Sequence, residues 1–135
     1  KIIGIQTIMR FEIILPSVIL GIMLFFSFAV APLIFKVLEE NQARKFVRTM
    51  FPYYYSINLI LVLSICIFLI YKNFISLDFY LLTSVAILFA ISLFILMPMI
   101  NNARDLKKEI KFKYLHAGSV IINFLQIFIL LYVVL

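Results

Sequence analysis

The sequence predicts an all-α integral membrane protein, a single bundle of four transmembrane helices over residues 1–135. Three observations predict it. Hydrophobic residues fill 66% of the positions and mean hydropathy is +1.20, where soluble domains run at about 45–50% apolar. Four apolar runs reach the roughly 20 residues that a helix needs to cross a hydrocarbon core about 30 Å thick. Lys and Arg gather in alternate connecting segments, the charge pattern of a multi-pass chain.

The first run, 13–35, has basic residues upstream and an A-V-A at 29–31, both features of a signal peptide. Its apolar stretch exceeds the about 7–15 residues of such a segment, and Pro32 directly follows the candidate cleavage site. A retained helix, bent near Pro16, is therefore expected. The runs 51–71, 79–100 and 114–135 complete the bundle. Without water in the bilayer core, each run must close its own backbone hydrogen bonds as a helix. Pro32 and Pro98 are expected to end the first and third helices. Tyr53 to Tyr55, Tyr71, Tyr80, Tyr114 and Tyr132 lie towards run ends, as an interfacial aromatic belt requires. Ser17 with Gly21, Ser27 with Ala31, and Thr83, Ala86 and Ala90 supply small residues for close helix approach.

Two connecting segments are expected to form short amphipathic helices. In 39–50, Glu39 and Glu40 precede Arg44, Lys45 and Arg48, an order that suits the helix dipole, while Ala43, Phe46, Val47 and Met50 make an apolar side. In 102–113, Asn102 is placed to cap with Asp105 three residues on; Ala103, Leu106, Ile110, Tyr114 and Ala117 then share a face. Segments 36–50 and 101–113 hold nine Lys and Arg, and the other side holds three, Lys1, Arg10 and Lys72. The positive-inside rule then makes both basic segments cytoplasmic and puts both termini outside, as in a bacterial inner membrane. The expected contacts of this face are the bilayer and its anionic headgroups, not nucleic acid.

Four polar side chains interrupt the last run: His116, Ser119, Asn123 and Gln126, on one helical face. Counted from Tyr114 they lie about 3, 8, 14 and 18 Å deep. Asn58 is about 10 Å deep from Phe51, and Ser27 and Ser92 are each about 12 Å deep on their own helices. One polar layer shared by all four helices is expected, with Asn58, Ser27 or Ser92 as partners of Asn123. Lipid-facing amides would stay unpaired at a cost of several kcal/mol, so these groups must face inward. Interhelical hydrogen bonding accounts for the Asn and Ser layer. His116, the one imidazole, has wider options: proton relay, a metal or haem ligand, a lipid-phosphate contact, or a bond to a loop carbonyl.

Other chemistry is sparse. One cysteine, Cys66, excludes an intrachain disulfide and any multi-cysteine zinc site; it also lies too far along the axis to join His116. One histidine excludes a bis-histidine haem within one copy. Met97 and Met99 flank Pro98, and with Met50 at the same face they offer thioethers to a soft metal, but as core fillers they need no metal. No paired carboxylates, nucleophile–base set or phosphate loop occurs, so no enzyme and no cofactor is predicted; haem or a soft metal at His116 stays open. A faint repeat is present. N-Q-A-R and N-N-A-R follow Pro32 and Pro98, and Asn58 and Asn123 lie 26 and 25 residues after those prolines, the pattern of a duplicated hairpin.

The order A-P-L-I-F (31–35), F-P-Y-Y-Y (51–55), P-M-I-N-N-A-R-D (98–105) and L-H-A-G-S-V-I-I-N-F-L-Q (115–126) resembles the transmembrane protein 205-like family, also catalogued as domain of unknown function 4149. The resemblance runs from Leu24 to the end. It implies a small four-helix membrane protein without an assigned activity. The eukaryotic namesake is associated with resistance to platinum drugs, which implies handling of soft metals or their adducts. On the family pattern Pro32, Pro52, Asn101, Arg104, Asp105, His116, Asn123 and Gln126 are the residues to test first, with Arg44 beside them at the basic interface. The expected role is a non-enzymatic accessory subunit, packed on copies of itself or within a larger membrane complex. The alternatives are a small permease whose path the His116–Gln126 stripe lines, and a redox protein with His116 as axial ligand.

Overall fold

The computed structural model describes residues 2–135 and contains four helices long and apolar enough to cross a membrane. They are α1 (Ile2–Val37), α2 (Glu40–Tyr71), α3 (Leu77–Asp105) and α4 (Glu109–Val134). The helices run up and down: α1 packs on α2 and α4, and α3 packs on the same two neighbours. Large apolar side chains such as Phe25, Phe94, Ile121 and Phe128 cover the outside, the surface that lipid tails solvate as well as a protein core would.

The helices outrun the apolar stretches. The basic segment expected as a separate helix over 39–50 is the first part of α2, which is continuous from Glu40 through Pro52 to Tyr71. Its corner with α1 is two extended residues, Leu38 and Glu39. The expected cap at Asn102 is not formed either. Asn102 lies inside α3, which ends three residues later at Asp105, and the chain turns at Lys107, which takes a left-handed φ of 53°. There the Lys108 amide donates to Ala103 O at 2.9 Å and the Lys107 amide to Arg104 O at 3.1 Å, the double bond of a Schellman stop. The break scatters the face expected over 103–117: Ala103 is buried, whereas Leu106, Ile110 and Tyr114 are exposed. Asn73, φ 53°, stops α2 in the same way, and Ser76 accepts the Phe79 amide to start α3.

Neither Pro32 nor Pro98 ends a helix. Each lies just beyond one wide π turn, Phe26–Val30 in α1 and Ser92–Leu96 in α3. Proline has no amide to offer and its ring crowds the carbonyl four residues back. An inserted residue opens the turn before it, so the Ala31 amide reaches Phe26 O and the Met97 amide reaches Ser92 O, a π bulge within an otherwise regular helix. The same device thus stands in both odd helices, six residues before the proline each time, in line with the hairpin echo. Pro16, by contrast, is accommodated within a continuous α-helical stretch.

The dense core occupies the half of the bundle towards the α2–α3 turn. Ile19, Met23, Val62, Ile65, Leu69, Leu82, Val85, Phe89 and Leu130 are fully buried there. Thr83 faces Cys66 across the α2–α3 contact at 3.8 Å, as a small-residue seam permits. Ser17 and Gly21 do not join such a seam: Gly21 is exposed, and a methyl group added there would meet nothing within 4 Å. The other half of the bundle is less densely filled.

Candidate functional site

A chamber of about 770 Å³ opens at the basic end of the bundle, bounded by all four helices. Its volume falls within the about 300–1,000 Å³ typical of small-molecule sites. Both π turns border it, through Phe26, Ser27 and Phe28 on α1 and Ser92 and Leu96 on α3. Wide turns next to a cavity are a frequent arrangement at functional sites.

The polar floor is built on Asn123. Its Nδ2 donates to Ser27 Oγ at 3.0 Å, and its Oδ1 accepts from the Tyr54 hydroxyl at 3.1 Å. These bonds tie α4 to α1 and α2. Ser92, itself buried, contributes the α3 hydroxyl to the lining. The polar layer therefore exists, with one substitution in its membership. Asn58 is not a partner of Asn123: it lies one turn beyond Tyr54, and its Nδ2 donates to Tyr54 O in its own helix at 2.8 Å. Gln126 is also buried outside the chamber lining, with Nε2 3.4 Å from Val85 O. Ser119 lines the chamber but donates to its own backbone, at His116 O, 2.7 Å away.

Aromatic rings form the walls. Phe26 stacks on Tyr54 at 4.5 Å, Phe51 on Tyr55 at 5.6 Å, and Tyr55 approaches Phe89 of the core at 6.5 Å. This corrects the belt reading for F-P-Y-Y-Y. Tyr53 is 64% exposed but Tyr54 is only 4% exposed, because successive residues on a helix point about 100° apart. Tyr71, Tyr80, Tyr114 and Tyr132 are exposed, as an interfacial belt needs.

Arg44, Lys45, Arg48, Arg104, Asn101, Asp105 and His116 frame the mouth. Arg48 bridges α2 to α3, donating to Asp105 Oδ1 at 2.7 Å and to Asn101 O at 3.1 Å. Arg44 pairs with Glu40 one turn back in α2. Arg104 lies over the Phe112 ring at 4.1 Å, and His116 stacks parallel to the same Phe112 ring at 5.8 Å. This stack spans the α3–α4 break, and guanidinium over a ring face is favourable. His116 itself is exposed at the rim.

Of the seven polar residues expected within the bundle, His116, Ser119, Asn123, Ser27 and Ser92 line the chamber together, and so do all four interface residues, Arg44, Asn101, Arg104 and Asp105. Lys45, Arg48, Tyr54 and the rings around Phe26 complete it without having been singled out as site residues. Met97 borders the chamber, whereas Met50 and Met99 are exposed away from its lining. Among the described residues no three His, Cys, Asp or Glu side chains gather as a metal site would require. Replacing Asn123 with Leu should cost about 1–2 kcal/mol through two lost interhelical bonds; Ser119→Ala should change stability by less than about 0.5 kcal/mol. Reversible unfolding in micelles checks this, and equal effects would mean that the Asn123 bonds do not form.

An uncharacterised protein of Aquifex aeolicus (strain VF5) is similar to this chain, 38% identical over 117 residues that cover 84% of each. No solved structure matches significantly. The family described as domain of unknown function (DUF4149) matches residues 14–109, a stretch holding both π turns and much of the chamber lining. The chain, with its four helices long and apolar enough to cross a membrane, belongs to the DUF4149 family.

Proposed function

We propose that this protein is a small non-enzymatic permease, with its basic end in the cytoplasm and both termini outside. The observation that carries the reading is the chamber itself, a volume of about 770 Å³ bounded by all four helices, with a cationic mouth and a hydrogen-bonded polar floor. Beyond the chamber lining, Asn58, Gln126 and Glu12 are buried with one side-chain oxygen each lacking a partner. Buried polar groups inside a membrane bundle are costly, and ionisable ones such as Glu12 commonly mark substrate or ion paths. The nine Lys and Arg of the two basic segments support the orientation. Likeness to the transmembrane protein 205-like family belongs to the same proposal.

Ser92→Cys, near-isosteric and on the chamber wall, tests it in a Cys66→Ala background. A membrane-impermeant thiol reagent should label Cys at 92 from either side of oriented vesicles, because a permease exposes its chamber to each side in turn. Labelling from the basic side alone would overturn transport. The second reading, an accessory subunit packed against another membrane helix, would then take its place. The outward Gly21, with open space where a side chain would stand, favours that reading, since glycine permits close helix contact.

A further inference from the structure

We infer that the chamber takes an anionic amphiphile that enters sideways from the bilayer, its head at the basic rim and its apolar body among the rings. This names the substrate class of the permease reading and rests on it. Four cations and one carboxylate line the mouth. Arg48 is held by Asp105 and Arg44 by Glu40, which leaves Lys45 and Arg104 without a carboxylate among the described residues. An anionic head would supply the missing partner. Charge-assisted bonds to Lys and Arg are the stronger kind, and at this exposed rim they should weaken as salt rises.

The wall between α1 and α4 supplies the entry. Phe28 on α1 and Phe124 on α4 both line the chamber, yet are 63% and 42% exposed on the outer surface. Their rings meet edge to face at 6.5 Å. The wall there is one side chain thick, and exposed ring side chains reorient far faster than packed helices move. Phe35 of α1 and Val120 of α4 are likewise both lining and exposed. A ligand that leaves lipid tails for this chamber exchanges one apolar surrounding for another, so its head decides the preference. Selection therefore falls on charge at the rim.

The chain contains no tryptophan, so Phe51→Trp gives one indole on the chamber wall. The full-length variant in nanodiscs is mixed with phosphatidylglycerol or phosphatidylcholine carrying brominated chains, each also in its single-chain lyso form. The anionic lipid of either pair should quench the indole at least twofold more than its zwitterionic counterpart at equal mole fraction. Lys45→Glu, alone and with Arg104→Glu, should bring that ratio towards one. Equal quenching by both headgroups, or a ratio unmoved by the reversals, would overturn the inference. Quenching by aqueous iodide without quenching by brominated lipid would also overturn it, while leaving the permease reading standing. Silence from all three quenchers would remove both.

Discussion

Phe89→Ala is expected to lower the free energy of unfolding by about 3 kcal/mol, measured by reversible denaturation in micelles. Phe89 is fully buried where the core meets the chamber, its ring 6.5 Å from Tyr55. Large-to-small changes in cores cost about 3–5 kcal/mol for Phe, part transfer and part cavity. In a bilayer the transfer part shrinks, because the unfolded helices already sit in an apolar phase. The cavity part remains, since the lost ring contacts have no replacement, which places the expectation at the low end. Phe94→Ala, a lipid-facing control, should change stability by less than about 0.5 kcal/mol. Equal effects at the two sites would mean that Phe89 faces lipid.

Asn58→Leu and Gln126→Met should work in the opposite direction, raising stability by about 1–2 kcal/mol each while abolishing two-sided labelling of the chamber. Both side chains are fully buried, and in both the amide oxygen has no partner. The bonds they do make are local or long, at 2.8 Å to Tyr54 O and 3.4 Å to Val85 O. An unsatisfied buried acceptor costs about 1–3 kcal/mol, and removing it with an apolar group of similar shape recovers that cost. The permease reading assigns these two oxygens to the path, which is why the same variants should affect labelling. Destabilisation of more than about 1 kcal/mol in either variant would show that the oxygens have structural partners, and the path argument would lose its footing.

The site was partly legible in the chain. The spacing of His116, Ser119 and Asn123 put them on one helical face, and depth counting placed Ser27 and Ser92 at the same level; all five line the chamber. Depth counting, however, follows the backbone and says nothing about how far a side chain reaches. Asn58 shares the face of Tyr54 one turn further along α2, where its amide bonds its own helix at Tyr54 O, so the longer Tyr54 side chain reaches the floor in its place. Tyr54 was hidden because three adjacent tyrosines at a run end look alike in one dimension. The break at Lys107 was hidden for a different reason: glycine usually marks a left-handed stop, and here lysine holds it.

Four spans, their alternation and the end that carries the basic residues follow from the sequence by itself, because bilayer thickness and backbone hydrogen bonding leave so few solutions for apolar runs of this length. Tertiary structure alone decided that Pro32 and Pro98 open π turns instead of ending helices. It alone decided that those turns border a chamber, and that Arg48 joins α2 to α3 across the mouth. A proline's effect depends on whether neighbouring helices can hold the chain beyond it, and a cavity is the space that packed side chains fail to fill. Both are properties of several helices together, which no single run of residues contains.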